Sequence, residues 1–393
     1  MKILSVNSGS SSLRFTLFEM NDEVVIASGM FERIGIDGSN YKIKYNGEVI
    51  SEELEVNDHS DAVRILLDKL LSLNIVASYD DIRAIGHRIL HGKDIFKESI
   101  FITDEVISKL ESLTDLGPLH MKANIAGIKS FKEVLPDVPM VAVFDTSFHQ
   151  TMDEEAYLYP VPYKWYEDYG VRKYGFHGTS YRYITNYIEK ELGKSEYKAI
   201  VCHLGNGASI SAIKDGKCID TSMGFTPLAG IMMGTRSGDV DCSIIPYVME
   251  KEGKNANEVI DDLNKKSGLL GLSQLSSDMR DIVDLSNEEN KGAILAKNKF
   301  VRRVVDYIAQ YYVLLEGIDL LVFTAGIGEN NIPIRREVCE KLSCLGIKID
   351  LDANNVRGEF VKISSGDSVI DVYVIPTNEE LMIARDTLNI ISR

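Results

Sequence analysis

Apolar and polar residues alternate with a period of two through "KILSVN" (2–7), "LRFTLFEM" (13–20), "EVVIASGMFERIG" (23–35) and "YKIKYNGEVI" (41–50). Such alternation predicts half-buried strands, and Asn21-Asp22, Asp37-Gly38 and Asn46-Gly47 supply turn residues between and within them. The period then changes. "SDAVRILLDKLLSL" (60–73) spaces its apolar residues as a helix does, with Ser60 placed to cap it. "IRAIGHRILHG" (82–92) and "PMVAVFDTSFH" (139–149) read as buried strands emerging at turns.

A second cycle opens at "YKAIVCHLGNGASISAIKDGKCID" (197–220), which is strand, Gly/Asn/Ser turn and alternating strand. The long amphipathic "AILAKNKFVRRVVDYIAQYYVLLEG" (293–317) follows, then the apolar strand of "IDLLVFTAGIGEN" (318–330). Strand-rich openings followed by alternating helices and strands, twice over, predict two related α/β halves. The closing "LMIARDTLNIISR" (381–393) reads as a helix returning to the first half.

The 393 residues exceed one compact core and fit two domains. With 59 acidic against 43 basic residues the net charge is −16. A surface of that sign repels phosphate backbones and anionic membranes, so neither nucleic acid nor membrane is an expected partner. An anionic ligand must be captured by local arginines and backbone amides. The five cysteines show no paired spacing, the first apolar run is short for a signal peptide, and no run reaches bilayer length. A cytoplasmic protein is expected.

Candidate chemistry gathers at the strand ends. Six of seven histidines (His87, His91, His120, His149, His177, His203) stand at strand ends or glycine turns. "HRILH" lacks the glutamate of a zinc motif and follows a strand-like run, which disfavours zinc. The turns "NSGSSS", "HLGNGAS" and "TAGIGENN" each follow an apolar strand and offer amides and hydroxyls to an anion. Neither a GxxxxGK[ST] loop nor a GxGxxG fingerprint occurs. Arg236 in "GIMMGTRSGDVD" and Arg88 in "GHRILHG" look like clamps for carboxylate or phosphate, while Asp145, Glu379 and Glu380 offer carboxylates for a metal or for positioning. Backbone turns, arginines and a carboxylate without an evident nucleophile describe a phosphoryl-transfer site, in a two-lobed kinase or ATPase acting on a small anion.

The motifs "NSGSSSLRF", "GHRILHG", "VAVFDTSFHQTM", "YGFHGTS", "CHLGNGASI", "DTSMGFTPLAGIMMGTRSGDVD", "KKSGLLG", "FTAGIGEN" and "PTNEELMIARDT" follow one another in the order seen in acetate kinases, and the chain resembles that family from Asn7 to Asp386. The resemblance implies an α/β, two-domain actin-like ATPase (ribonuclease H-like) fold, a duplicated βββαβαβα core with the active site in an interdomain cleft. It implies a first domain of residues 1–149 plus 380–393 and a second, nucleotide-binding domain of 150–379. The implied reaction is reversible, direct in-line transfer of the ATP γ-phosphoryl group to acetate, giving ADP and acetyl phosphate, with magnesium or alternatively manganese, in a homodimer.

Carried over by motif, Asn7 and Glu379 match metal-linked positions, and Asp145, His177, Arg236 and Arg88 match catalytic ones. Arg88, Leu90, Leu119, Phe176 and Pro227 match the substrate pocket, and Ser10, Ser12 and His120 are expected to contact phosphate. Arg14, His203, Leu204, Gly205, Asn206, Gly207, Asp278, Met279, Arg280, Gly326, Ile327, Gly328, Glu329 and Asn330 match nucleotide-binding segments. Leu90, where the family commonly has valine, narrows the expected pocket toward acetate. The chain also departs from the pattern with Arg14 for lysine, Ser8 for alanine, Lys93 for glycine, Tyr181 for histidine and Ala229 for glutamate. The alternatives are propionate kinase and, in another class, an actin-like or chaperone-like ATPase switch; for the chaperone, the seven residues after Asp386 leave no room for a peptide-binding domain.

Overall fold

Five strands, β1 (Lys2–Gly9), β2 (Ser12–Glu19), β3 (Val24–Glu32), β4 (Asn40–Tyr45) and β5 (Glu48–Glu53), form an antiparallel meander where the period of two predicts it. The structure, a computed structural model, describes the backbone of residues 1–393 and all side chains but those of Pro118 and Leu119. "YKIKYNGEVI" is two strands folded at Asn46-Gly47. "NSGSSS" is mostly strand: Asn7 pairs with Arg14, Ser8 with Leu13 and Gly9 with Ser12, so only Ser10 and Ser11 make the turn.

Helix α1 (His59–Ser72) follows, burying Ala62, Val63, Leu66, Leu67 and Leu70. Its cap is Asp58, not Ser60: the Asp58 carboxylate accepts from the Asp61 amide at 2.9 Å, while Ser60 lies inside the first turn and bonds Ser130. A carboxylate at that place also complements the helix dipole. Then come β6 (Ile82–Ile89), β7 (Ile100–Phe101), α2 (Asp104–Ser112), α3 (Pro118–Val134) and β8 (Met140–Phe144).

The chain divides into two units, Met1–Gln150 with Asn378–Arg393, and Thr151–Thr377. The second unit holds α4 (Glu154–Tyr157), α5 (Lys164–Tyr169), α6 (Gly178–Glu191), β9 (Lys198–Leu204), β10 (Ala208–Lys214) and β11 (Lys217–Thr221). It continues through α7 (Ile244–Glu252), α8 (Ala256–Lys265), α9 (Gly268–Ser273), α10 (Met279–Asn287) and α11 (Lys291–Leu314). It closes with β12 (Leu320–Thr324), α12 (Ala325–Asn330), α13 (Ile332–Lys341), β13 (Val361–Lys362) and β14 (Asp371–Val374). "TAGIGENN", expected as a glycine turn, is therefore the short helix α12. Helix α14 (Glu379–Ile391) belongs to the first unit with its cap Asn378, whose side chain accepts from the Leu381 amide.

The two sheets share one plan. The first runs β5-β4-β3-β2-β1-β6-β8-β7 and the second β11-β10-β9-β12-β14-β13. In both, the opening strand (β1, β9) heads an antiparallel meander on one side, and on the other pairs in parallel with β6 and β12, which pair in parallel with β8 and β14. This is the duplicated core of the actin-like ATPase fold. The parallel strands β8 and β12 are buried at every residue, as strands covered on both faces must be. In the first unit α14 covers one face of β6 and packs so closely that a Cβ on Gly86 would strike Thr387 and Ile383. The other face turns to α3, where the His87 ring meets Phe131 edge-on at 5.5 Å.

Candidate active site

On the α14 face of the first sheet, β6 and β8 end side by side and place Arg88 against Asp145. Arg88 donates from Nε to Asp145 Oδ1 at 3.0 Å and from Nη2 to Oδ2 at 2.6 Å, a fork on a carboxylate that is 1% exposed. The remaining nitrogen, Nη1, stands 3.7 Å from Glu379 at the start of α14. Burial works against the guanidinium charge, but Asp145 and Glu379 outweigh it and raise the Arg88 pKa. Burial pushes the Glu379 carboxyl up to about 7; Arg88 opposes the shift, and Asp145 and Glu380 reinforce it.

Alternation puts Ser5 and Asn7 on one face of β1, and the β1–β6 register sets Ser5 beside Gly86, so Asn7 shares the α14 face with Arg88. Arg14 pairs directly across from Asn7 and is exposed on that same face. Ser10 is exposed in the turn, Ser12 and Leu90 are half-buried, and His120 is exposed on the first turn of α3. Leu119 lies outside the described side chains. Lys93 adopts φ +53°, a left-handed conformation in which glycine is at ease and lysine is strained.

In the second unit the β9–β10 turn and the start of α6 converge. His177 precedes α6 in a left-handed conformation, φ 61°, of the kind kept only where the surroundings enforce it. Its ring stacks on His203, with centroids 4.1 Å apart and planes at 22°. His177 Nδ1 lies 2.8 Å from Ser209 Oγ, and His203 Nδ1 lies 2.8 Å from Ser180 Oγ. His203 and Ser209 are cross-strand partners in the β9–β10 hairpin, which is why one serine reaches the neighbouring imidazole.

With Nδ1 occupied, His177 turns Nε2 toward Gly207. A Cβ on that glycine would sit 3.5 Å from Nε2 and 3.6 Å from Arg236 Nη1. Imidazole and guanidinium thus face one bare stretch of backbone. Arg236 Nη1 donates to the Pro227 carbonyl at 3.2 Å and lies 3.8 Å from the Met233 sulfur, and among the described residues of its unit no carboxylate pairs with it. Burial alone lowers its pKa. A desolvated cation without a counter-ion is a place for an anion. Phe176 is buried and Pro227 half-buried beside these groups in sequence.

A cavity of about 790 Å³ opens in this unit. Of the residues expected to bind nucleotide, Gly205, Asn206, Asp278, Met279, Arg280, Gly326, Ile327 and Asn330 line it. Arg280 is braced by hydrogen bonds from Nε and Nη2 to the carboxylate of Asp278, which also caps α10. His203 and Leu204 are buried in and beside the hairpin, and Gly207 faces Arg236 instead. Glu329 braces the backbone, its Oε1 accepting from the amides of Ala325 (2.7 Å) and Thr377 (2.9 Å). The Gly328 carbonyl accepts from the buried Arg335.

Sequence reasoning missed Ser277, Asn287, Pro333 and Arg357 on the cavity wall. It also missed Arg335, wholly buried, which donates to the carbonyls of Gly328, Glu329, Asn354 and Val356 and to Asn354 Oδ1 at 2.8–2.9 Å. An arginine two residues past a proline on a helix carries no signal that separates it from solvated surface. Among the described residues no group of three or more His, Cys, Asp or Glu could hold a metal, and no helix is long and apolar enough to cross a membrane.

The family model described as "Acetokinase family" matches residues 2–385. The acetate kinase of Bacillus subtilis (strain 168) is 52% identical over 391 residues, covering 99% of each chain. Among solved structures, the acetate kinase of Porphyromonas gingivalis superposes with a TM-score of 0.95 at 43% identity, and a propionate kinase from Francisella tularensis with 0.94 at 40%, each covering 99% of both chains.

Proposed function

Because this chain belongs to the acetokinase family, we infer that it is an acetate kinase, a phosphotransferase with a carboxyl group as acceptor, passing the γ-phosphoryl group of ATP reversibly to acetate. The observation that carries the mechanism is Arg236, desolvated, without a carboxylate partner among the described residues of its unit, and facing Gly207 together with His177 Nε2. Such a pair offsets charge on a phosphoryl group in transit.

Acetate is ionised at neutral pH, so its oxygen attacks phosphorus without a general base. Asp145 is accordingly an orienting group: both its oxygens are engaged by Arg88, whose Nη1 keeps only the loose 3.7 Å contact to Glu379 and remains available to a substrate carboxylate. In the second unit, Phe176 and Pro227 wall the methyl group in this reading. The 790 Å³ cavity takes the nucleoside, with Gly205, Asn206, Asp278, Met279, Arg280 and the α12 residues around it.

Asn7 and Glu379 present oxygen donors of the kind magnesium or manganese takes, and a carboxyl held up to about 7 by burial is one that a divalent cation would ionise. Bound there with ATP, the metal would neutralise phosphate charge. Asn7 and Glu379 would hold it. The protein acts as a homodimer in this reading.

A second reading, propionate as the acid, has the Francisella structure in its favour. A coupled assay with acetate, propionate and butyrate, run with ATP and with pyrophosphate, decides. A kcat/KM higher for acetate than propionate by about tenfold is expected for one methylene. A preference for propionate would overturn the acetate assignment, and turnover with pyrophosphate in place of ATP would overturn the nucleotide assignment.

A further inference from the structure

Tyr181, on the first turns of α6, is wholly buried, and its hydroxyl lies 2.5 Å from Ser209 Oγ. Ser209 is itself fully buried and stands 2.8 Å from His177 Nδ1. Phenol, hydroxyl and imidazole therefore form one line, buried at Tyr181 and Ser209 and half-buried at His177, with Ser211 a second hydroxyl at the phenol. The catalytic role of His177 gives no reason for a tyrosine here, and position 181 is one at which the chain departs from its motif.

The direction of the line follows from proton supply. Burial raises the Tyr181 pKa, so the phenol keeps its proton. A phenol is a stronger donor than a serine hydroxyl, and of its two serine neighbours, Ser209 and Ser211, the short contact to Ser209 is the one its proton takes, Ser211 being paired with Thr221 Oγ1 at 2.8 Å. Ser209 has a single proton and two side-chain partners. Accepting from Tyr181, it gives that proton to His177 Nδ1. A neutral imidazole that accepts at Nδ1 carries its own proton on Nε2, the nitrogen facing Gly207 and Arg236. We propose that Tyr181 is a positioning residue that acts through Ser209 to fix the His177 tautomer, so that Nε2–H is presented as a donor to the phosphoryl oxygens.

This rests on the reading of His177 as a phosphoryl-contacting group, and the experiment separates the two. Tyr181→Phe removes one hydroxyl and keeps the ring. Steady-state kinetics of the full-length enzyme with Mg-ATP and acetate should show kcat lowered about tenfold or more, with both KM values within about twofold, on the scale of a misplaced donor. In ¹⁵N NMR of His-labelled enzyme, the His177 signals should move from the Nε2–H form toward a mixture of tautomers. Adding Tyr181→Phe to His177→Ala should cause no further loss. Ser209→Ala removes the middle of the line, keeps the helix intact, and should reproduce the shift if Tyr181→Phe fails to fold. Unchanged kcat with an unchanged Nε2–H signal in either variant overturns the proposal, as does an equal loss in the His177→Ala background. Near-normal turnover of His177→Ala alone would instead overturn the reading of His177 and leave the tautomer measurement to judge Tyr181.

Discussion

Replacing Arg236 by alanine should nearly abolish turnover while leaving the fold as stable as before. Among the described residues its side chain donates to the Pro227 carbonyl at 3.2 Å and has a contact at 3.8 Å to the Met233 sulfur. A hydrogen bond involving a charged group contributes about 1.5–3 kcal/mol, and this one is long. Against it stands the desolvation that lowers the Arg236 pKa, uncompensated by any carboxylate of the unit and amounting to a few kcal/mol for a partly buried ion. The two cancel to within about 1 kcal/mol, so the melting temperature should move by no more than about 2–4 °C.

The loss in catalysis is different in kind. A preorganised donor aimed at developing charge contributes about 2.7–4 kcal/mol, so kcat should fall about 10²–10³-fold. Initial rates of acetyl phosphate formation under saturating Mg-ATP and acetate, with a thermal melt of the same preparation, measure both. Turnover within tenfold of the parent would refute the role of Arg236. A loss of more than about 5 °C would refute the claim that it stands without a structural partner.

Arg88→Ala should behave oppositely in the melt, because it strips the buried Asp145 of a partner that donates two hydrogen bonds and costs about 3 kcal/mol; a melting temperature equal to the parent's would contradict this. Arg335→Met should raise the KM for ATP several-fold and leave the KM for acetate within about twofold. Arg335 ties Gly328 and Glu329 of α12 to Asn354 and Val356, beside Arg357 on the cavity wall, and equal rises in both KM values would count against that account. Burial holds His87 down at about 3, and among the described residues its Nε2 has no hydrogen-bond partner. The unfolded chain takes up that proton below about pH 6.5, so the stability is complete above 6.5 and drains as pH falls toward 3, at up to about 1.4 kcal/mol per unit. Urea melts at pH 6.5 and pH 5 should show His87→Leu losing about 2 kcal/mol less than the parent; parallel losses would disprove it.

How much of this was legible in advance differs by element. Period-two and helical patterns placed the meander, α1 and α11, and continuous apolar runs placed the buried strands β8 and β12, because burial is written locally in each element. Ser60 was misread as a cap because serine and aspartate both cap helices, and only the Asp58 to Asp61 bond distinguishes them. Glycines in "TAGIGENN" read as a turn, yet tertiary context made it α12, with Glu329 bridging the backbone of residues 325 and 377.

By itself, then, the sequence determined the succession of elements, the repeated meander and the motifs that mark the family. Each of those is a property of neighbouring residues. Tertiary structure decided which groups meet. Glu379 faces Arg88 because α14 returns to β6 from nearly three hundred residues away. Arg335 is a buried brace and not a surface cation, because the segment around Asn354 folds over it. Tyr181 aims its hydroxyl at the serine beside His177 because α6 packs on the β9–β10 hairpin. Such meetings depend on packing between distant segments, and no local period records them.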